Sequence, residues 1–213
     1  MRESRDEMAE QAYLVAALIV VCGSYLRVLA ASGAAVRTLA SRGQFRKFQM
    51  GLVELLVAPE PLVLAGVTTF ALALHLEPND ASVLDAVAAA VGAALVLYAW
   101  NLTAWSFLSW RSIFFGHGVQ EDQQLVTGGA YGLVRHPVYL GVLLIWLGLS
   151  VAFLSLIVFI IAAVYVVPIY ILYILSEERM MNEEFGDEYR RYCRRVPMLL
   201  PYVRLIPQLR PGG

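Results

Sequence analysis

A continuous stretch of 38 residues, 138–175, contains no Asp, Glu, Lys, Arg or His. As a single helix it would be about 57 Å long at 1.5 Å per residue. That is nearly twice the roughly 30 Å hydrocarbon core of a bilayer. The stretch must therefore fold back as two antiparallel helices, with a turn predicted within residues 150–155. Pro168 lies in the second helix and predicts a kink, because proline frees the carbonyl group four residues earlier.

Three further apolar segments precede this hairpin, at about residues 11–31, 61–76 and 83–107. The second is short, so either it is tilted little in the membrane or residues 52–58 add a bent first half ahead of Pro59. Only 15% of the residues are charged and 59% are apolar, whereas soluble domains have about 25% charged residues. This composition excludes a soluble enzyme. We predict an all-α integral membrane protein with about five transmembrane helices, the last two forming a helical hairpin, followed by a cytoplasmic C-terminal helical segment.

The distribution of basic residues predicts the orientation of the chain. Thirteen of the sixteen Lys and Arg residues follow the first, third or fifth predicted helix, on one side of the membrane. Basic residues accumulate in cytoplasmic loops, so the N-terminus is predicted outside and the C-terminus inside. The net charge of −1 predicts no nucleic-acid partner. Cys22 and Cys193 form no disulfide framework, and no metal site is predicted.

Two polar segments on the predicted cytoplasmic side are candidates for the chemistry, because polar groups near membrane depth are functional candidates. The first is residues 120–141, QEDQQLVTGGAYGLVRHPVYLG. Pro137 suits the first turn of a helix. His136 and Tyr139 would then lie beside unpaired amide groups, which favour an anionic ligand. The alternative is that these residues only anchor a helix end at the lipid headgroups.

The second polar segment begins where the last apolar helix ends. Glu177 and Glu178 are either a solvated helix end or partners for the amine or hydroxyl groups of a ligand. The arginines that follow predict an interfacial helix attracted to anionic membrane lipids. Elsewhere, Glu54 and Glu60 flank the start of the second span, and a solvated interfacial turn is the favoured interpretation for both. Gly92 and its alanine neighbours predict close helix packing.

Together, the two segments resemble the isoprenylcysteine carboxyl methyltransferase family, with phospholipid N-methyltransferases as more distant relatives. In residues 125–141 the shared pattern is L-V-T-x-G-x-Y-x-x-V-R-H-P-x-Y-x-G. After the two-helix spacer come Glu177-Glu178, Phe185-Gly186-x-x-Tyr189 and Arg195-Val196-Pro197. The resemblance covers about residues 120–201, and the first three spans are similar only in kind.

The resemblance implies S-adenosyl-L-methionine as cofactor, in a cytosol-facing pocket between the loop before the hairpin and the segment after it. The sequence has no internal repeat, low-complexity tract or soluble-domain linker, so we predict a single membrane domain over 1–213, with a three-span part at 1–119 and a catalytic part at 120–213. The resemblance identifies no catalytic residue, but Arg135 and Tyr173 are candidates. Tyr173 stands where eukaryotic members have a substrate-binding arginine. The implied cofactor-binding residues are Gln123, Gln124, Leu125, Val126, Tyr131, His136, Pro137, Val138, Tyr139 and Glu177.

The predicted function is transfer of a methyl group from S-adenosylmethionine to an acceptor that enters from the bilayer. The acceptor is lipid-like or prenylated, and a carboxylate is one candidate for its reacting group. Two alternatives stay open. One is an NADPH-dependent membrane reductase of the sterol and steroid type, in which Arg135 would bind a phosphate. The other is a non-enzymatic membrane scaffold.

Overall fold

The computed structural model describes residues 3–40, 45–49, 51–74, 81–110, 117–120 and 123–200. Helices account for most of this part of the chain. In chain order the elements are α1 (Glu3–Ala40), β1 (Phe45–Gln49), α2 (Leu52–Val57), α3 (Glu60–Leu74), α4 (Val83–Ser109), β2 (His117–Gln120), α5 (Ala130–Leu133), α6 (Pro137–Ala152), α7 (Leu156–Ile161), a π-helical segment (Ala162–Val166) and α8 (Val167–Arg195).

Four helical segments are long and apolar enough to cross a membrane. They are Glu7–Thr38, Leu52–Leu74, Val83–Ser109 and Leu156–Arg195. The fourth predicted span is the shorter apolar helix α6, which has 16 residues and a length of about 24 Å. It forms the first arm of the hairpin. The predicted all-α membrane class and the hairpin are therefore confirmed.

The breaks within the spans lie where the sequence predicts them. The hairpin turns between Ala152 and Leu156, with Leu154 at a φ of 45° and Ser155 as the N-cap of α7. Where a kink was predicted at Pro168, the helix has a π-helical segment that ends two residues before the proline. The second span is divided into α2 and α3 just before Pro59-Glu60. Its predicted end at residue 76 lies outside the described residues.

A two-stranded ribbon is present that the sequence reading did not predict. Strand β1 follows α1, strand β2 follows α4, and the two pair in antiparallel fashion. The ribbon therefore holds the C-terminal ends of α1 and α4 on the same side of the helical bundle. A topology with five spans requires this arrangement.

Small residues bring α4 and α6 into close contact. A Cβ atom on Gly92 would lie 2.5 Å from the Gly148 carbonyl oxygen and 2.6 Å from the Ala152 Cβ. Farther along, a Cβ atom on Gly141 would lie 2.7 Å from the Thr103 hydroxyl oxygen. The predicted close packing at Gly92 is confirmed. It places the start of α6 beside the C-terminal half of α4, where the candidate site lies.

The expectation of a solvated turn at Glu54 and Glu60 is wrong, because the side chain of each is buried. Glu54 is 2% exposed and Glu60 is 0% exposed. Glu54 accepts a hydrogen bond from the Gly51 amide at 2.6 Å and so caps α2. Glu60 lies in the helical bundle, 3.1 Å from Arg27. Buried charges require partners, and Glu60 finds its partners on three other helices.

Candidate active site

The chain just before α6 is fixed to the chain just after α8 through the backbone. The Arg135 amide donates to the Pro197 carbonyl oxygen at 2.9 Å, and the His136 amide donates to the Met198 carbonyl oxygen at 3.2 Å. His136 precedes Pro137, and a residue before proline is kept out of the helical region. The amides are therefore available for this pairing, which joins the two ends of the hairpin.

Arg135 extends the same connection through its side chain. Its Nε and Nη2 atoms donate to Glu178 Oε1 at 2.8 and 2.6 Å. Its Nη1 atom donates to the carbonyl oxygens of Val196 and Cys193, at 2.6 and 3.3 Å. Burial lowers the pKa of Arg135, but its interactions with Glu178, Cys193 and Tyr189 together outweigh burial, and the net pKa is above its ordinary value. The guanidinium is charged and neutralises both a carboxylate and the negative end of α8.

His136 lies between two carboxylates. Its Nε2 atom is 3.2 Å from Glu178 Oε1, and its Nδ1 atom is 3.5 Å from Glu177 Oε2. Burial lowers the pKa of the imidazole, whereas the hydrogen bonds to Glu177 and Glu178 raise it, and the net shift is upward. The arrangement favours an imidazolium that holds both carboxylates at the entrance to α6.

Three tyrosines continue from His136 into the helical bundle. The Tyr139 ring stacks on the His136 ring, with centroids 5.6 Å apart. It also contacts the Tyr173 ring edge-on at 5.4 Å and the Tyr170 ring at 5.8 Å. The polar entrance is thus connected to an aromatic layer between α6 and α8, which contains the catalytic candidate Tyr173.

A glycine turn positions the loop before α5. Gly129 has a φ of 60° and a ψ of −133°, a conformation open essentially to glycine alone. A Cβ atom there would overlap Ser109 Oγ, which accepts a hydrogen bond from the Ala130 amide at 3.1 Å. The turn therefore fixes α5 against the end of α4 and directs Tyr131 toward the site.

A kink in α8 brings two more tyrosines over the site. Gly186 has a φ of 51° and a ψ of −122° within the helix, so the last turns change direction. Tyr189 and Tyr192 are then 4% and 5% exposed, and the Tyr192 hydroxyl donates to the Tyr131 carbonyl oxygen at 2.7 Å. Burial, with a smaller contribution from Glu177, raises the pKa of Tyr131. Its hydroxyl is neutral at physiological pH.

These elements enclose a pocket with two lobes that share Trp110, Tyr131, Arg135 and His136. The first lobe has a volume of about 480 Å³ and the second about 420 Å³, both open to solvent. The first is further lined by Gln123, Leu125, Val126, Met181, Tyr189 and Tyr192. The second is further lined by Pro137, Val138 and Tyr139.

Most of the implied cofactor-binding residues lie in this pocket, and the exceptions are informative. Gln124 is exposed and lines neither lobe. Glu177 lines neither lobe but contacts His136. Of the catalytic candidates, Arg135 lines both lobes, but its guanidinium is occupied by Glu178 and by backbone carbonyls. Tyr173 lies behind Tyr139 and is 3% exposed.

Four lining residues were absent from the predicted set, namely Trp110, Met181, Tyr189 and Tyr192. Trp110 caps the end of α4 and contacts Tyr131 edge-on at 6.3 Å. It lies before the segment that carries the resemblance, so the motif gave no signal for it. The two tyrosines lie in the arginine-rich segment that was interpreted as interfacial. Their three-residue spacing on one helix face was the available signal.

Part of the chain that includes this site is similar to known proteins. Residues 87–188 match the phospholipid methyltransferase family. Over 76 residues the chain is 41% identical to methanethiol S-methyltransferase 1 of Bradyrhizobium diazoefficiens, which is 36% of this chain and 26% of that protein. Over 84 residues it is 37% identical to protein-S-isoprenylcysteine O-methyltransferase B of Arabidopsis thaliana, which is 39% of this chain and 43% of that protein.

A mammalian protein shows the same similarity. The chain is 33% identical over 94 residues to protein-S-isoprenylcysteine O-methyltransferase of Mus musculus, which is 42% of this chain and 33% of that protein. The chain thus spans less than half the length of each of these relatives. No solved structure matches it significantly. The resemblance to isoprenylcysteine carboxyl methyltransferases is confirmed for the part of the chain that holds the pocket.

Proposed function

We propose that this chain is an integral membrane methyltransferase that uses S-adenosylmethionine and methylates a lipid-like or prenylated acceptor. One arrangement carries the proposal. His136 is held between Glu177 and Glu178 and stacked on Tyr139, beside a two-lobed pocket within the segment that is similar to known methyltransferases. The proposal includes the orientation derived from the basic residues, with the pocket on the cytoplasmic side.

The lining of the first lobe suits the aromatic and thioether parts of the cofactor. Leu125, Val126 and Met181 supply apolar surface, and Trp110 and Tyr189 supply aromatic surface. Such surfaces fit a planar purine. Aromatic faces also attract a sulfonium cation. Gln123 adds an amide that both donates and accepts hydrogen bonds.

The lining of the second lobe suits the charged end of the cofactor. The lobe lies at the start of α6, next to Pro137 and Val138. The first amides of a helix have no partner within the helix, and they favour a carboxylate. Glu177, whose Oε2 atom is 3.5 Å from His136 Nδ1, is placed to receive an amine or hydroxyl group. The residues present therefore fit the cofactor.

When bound, S-adenosylmethionine supplies an electrophilic methyl group: its carbon–sulfur bond breaks as the acceptor nucleophile bonds to carbon, leaving a neutral thioether. The contribution of the chain is alignment and exclusion of water. Tyr189 and Tyr192 close one side of the pocket, and the tyrosine layer at Tyr139 closes the side toward the membrane interior. A carboxylate or thiolate acceptor needs no general base, which agrees with the absence of an obvious one among the described pocket residues.

Calorimetry on the detergent-purified protein tests the cofactor assignment. Wild-type protein is expected to release heat on titration with S-adenosylmethionine, and His136→Ala and Glu177→Ala are expected to weaken binding at least tenfold. Glu183→Ala is the matched control, because Glu183 is an exposed carboxylate on the same helix. Absence of heat with wild-type protein, or unchanged binding in both site variants, would refute the proposal.

The reductase alternative requires an arginine that is available for a phosphate group. Within the described part of the chain, Arg135 is the arginine that lines the pocket. Its guanidinium already contacts Glu178 and two carbonyl oxygens. A thermal-shift comparison of NADPH with S-adenosylmethionine separates the two enzymes. Transfer of radiolabelled methyl groups to a lipid extract separates both from a scaffold.

A further inference from the structure

A polar cluster lies inside the helical bundle, away from the residues assigned to the cofactor. It joins Arg27 of α1, Glu60 of α3, Trp146 of α6 and Tyr170 of α8. Glu60 Oε1 accepts from Trp146 Nε1 at 2.7 Å. Glu60 Oε2 accepts from Arg27 Nη2 and from the Tyr170 hydroxyl, both at 3.1 Å. The carboxylate is therefore fully supplied with donors.

Arg27, in contrast, is not fully supplied with acceptors. Its hydrogen bonds to described residues both start from Nη2, one to Glu60 and one to the Tyr170 oxygen at 3.0 Å. Its Nε atom is buried and has no acceptor among the described residues. An arginine has five N–H donors, and a buried donor without an acceptor is unfavourable in an apolar environment. An oxygen atom within hydrogen-bonding distance of Nε would satisfy this donor.

The cluster is adjacent to the proposed methyl-transfer site. Tyr170, which contacts Arg27 through its hydroxyl, has its ring 5.8 Å from that of Tyr139. Tyr139 stacks in turn on His136. The Arg27 side chain keeps 17% of its surface accessible, and it lies on a helix long and apolar enough to span the membrane. The accessible part of Arg27 therefore belongs to a membrane-spanning helix next to the proposed site.

The charges of the cluster select the chemistry of that molecule. Arg27 and Glu60 form an ion pair and neutralise each other. A carboxylate or phosphate placed here would add an uncompensated negative charge in a low-dielectric region. A neutral carbonyl or hydroxyl oxygen satisfies Nε–H without that cost.

We propose that Arg27 binds a neutral carbonyl or hydroxyl oxygen of a bilayer-borne ligand through its Nε–H group. This ligand is the methyl acceptor, and that part of the inference rests on the proposed function. The recognised oxygen need not be the atom that is methylated. Recognition at Arg27 distinguishes acceptors by their uncharged polar group.

Photolabelling of the full chain in nanodiscs tests the site without any variant. The probe is hexadecanamide with a diazirine on the carbon next to the amide group. Labelling is expected on α1 and α8 near Arg27 and Tyr170, and unlabelled hexadecanamide is expected to compete at least tenfold better than hexadecanoate. Labelling confined to lipid-facing residues elsewhere, or equal competition by both compounds, would overturn the proposal.

Arg27→Lys separates ligand binding from a purely structural role. Lysine keeps the positive charge opposite Glu60 but has no Nε–H group in that position. Labelling is expected to fall at least fivefold, while Arg37→Lys, the same change farther along α1, leaves it unchanged. Normal labelling in Arg27→Lys would contradict the proposal. Calorimetry with S-adenosylmethionine is run on the same samples, so a failure of the proposed function is detected independently.

Discussion

Arg135 and Glu178 meet through a single carboxylate oxygen. Glu178 Oε1 accepts from Arg135 Nη2 at 2.6 Å and from Nε at 2.8 Å. The same oxygen is 3.2 Å from His136 Nε2. The contact that joins the two ends of the hairpin is therefore also a contact that orients the imidazole in the pocket. Stability of the hairpin and geometry of the site depend on one another.

Arg135→Ala is expected to destabilise the protein by about 3 kcal/mol. Breaking a buried ion pair costs about 3–5 kcal/mol, and Glu178 keeps 20% of its side-chain surface exposed, which places the cost at the low end. The measurement is unfolding in mixed micelles. Arg190→Ala is the control, because its pair with Asp187 is exposed, and its unfolding midpoint is expected to stay at the wild-type value. Equal shifts of the unfolding midpoint in the two variants would show that the Arg135 contacts stabilise the fold no more than an exposed ion pair does.

His136 is expected to stabilise the folded protein more at low pH than at high pH. Its pKa in the folded protein is raised, so its contribution is complete below the ordinary value of about 6.5. The contribution is lost as the pH rises through the raised value. The difference in unfolding free energy between wild type and His136→Gln should therefore be larger at about pH 6 than at about pH 9. A difference that grows with pH would contradict the assigned ion pairs.

Gly129→Ala is expected to disrupt the pocket. The substitution places a Cβ atom on a residue with a φ of 60° and against Ser109, at a cost of about 1–3 kcal/mol. Gly128→Ala is the matched control, because nothing lies within 4 Å of a Cβ atom there. Calorimetry should show at least tenfold weaker binding of S-adenosylmethionine in Gly129→Ala and wild-type binding in Gly128→Ala. Wild-type binding in both would exclude a role for this turn.

The features predicted from sequence are those set by local chemistry or by the motif. The length of the uncharged segment required a hairpin, Pro168 marked the π-helical break, and the motif grouped His136, Tyr139 and Glu177. The misplaced features depend on contacts between distant segments. In the sequence, Glu60 lies between two prolines and is therefore predicted at the membrane interface. Its partners Arg27 and Trp146 are distant in sequence and come close to it only in the folded chain. In the same way, Trp110 joins the pocket because the ends of α4 and α5 pack together.

Two glycine substitutions should have opposite effects on the helical bundle. Gly92→Ala places a methyl group 2.5 Å from the Gly148 carbonyl oxygen and 2.9 Å from the Ala152 Cα, both backbone atoms that yield only if α4 and α6 separate. Overpacking of this kind costs about 1–3 kcal/mol. Gly66→Ala in α3 meets no atom within 4 Å. It should raise stability by up to about 1 kcal/mol, because alanine favours a helix interior over glycine.

Unfolding in mixed micelles measures both changes, and calorimetry with S-adenosylmethionine measures their consequence for the site. Gly92 is far along α4 from the pocket residue Trp110, so the substitution does not alter the pocket directly. Weaker binding in Gly92→Ala would instead result from a shift of α6, because the first turn of α6 contains Pro137 and Tyr139. Gly66→Ala should bind as wild type does. A gain in stability for Gly92→Ala would show that α4 and α6 are not in the close contact described, and the position of the second lobe against α4 would then be wrong.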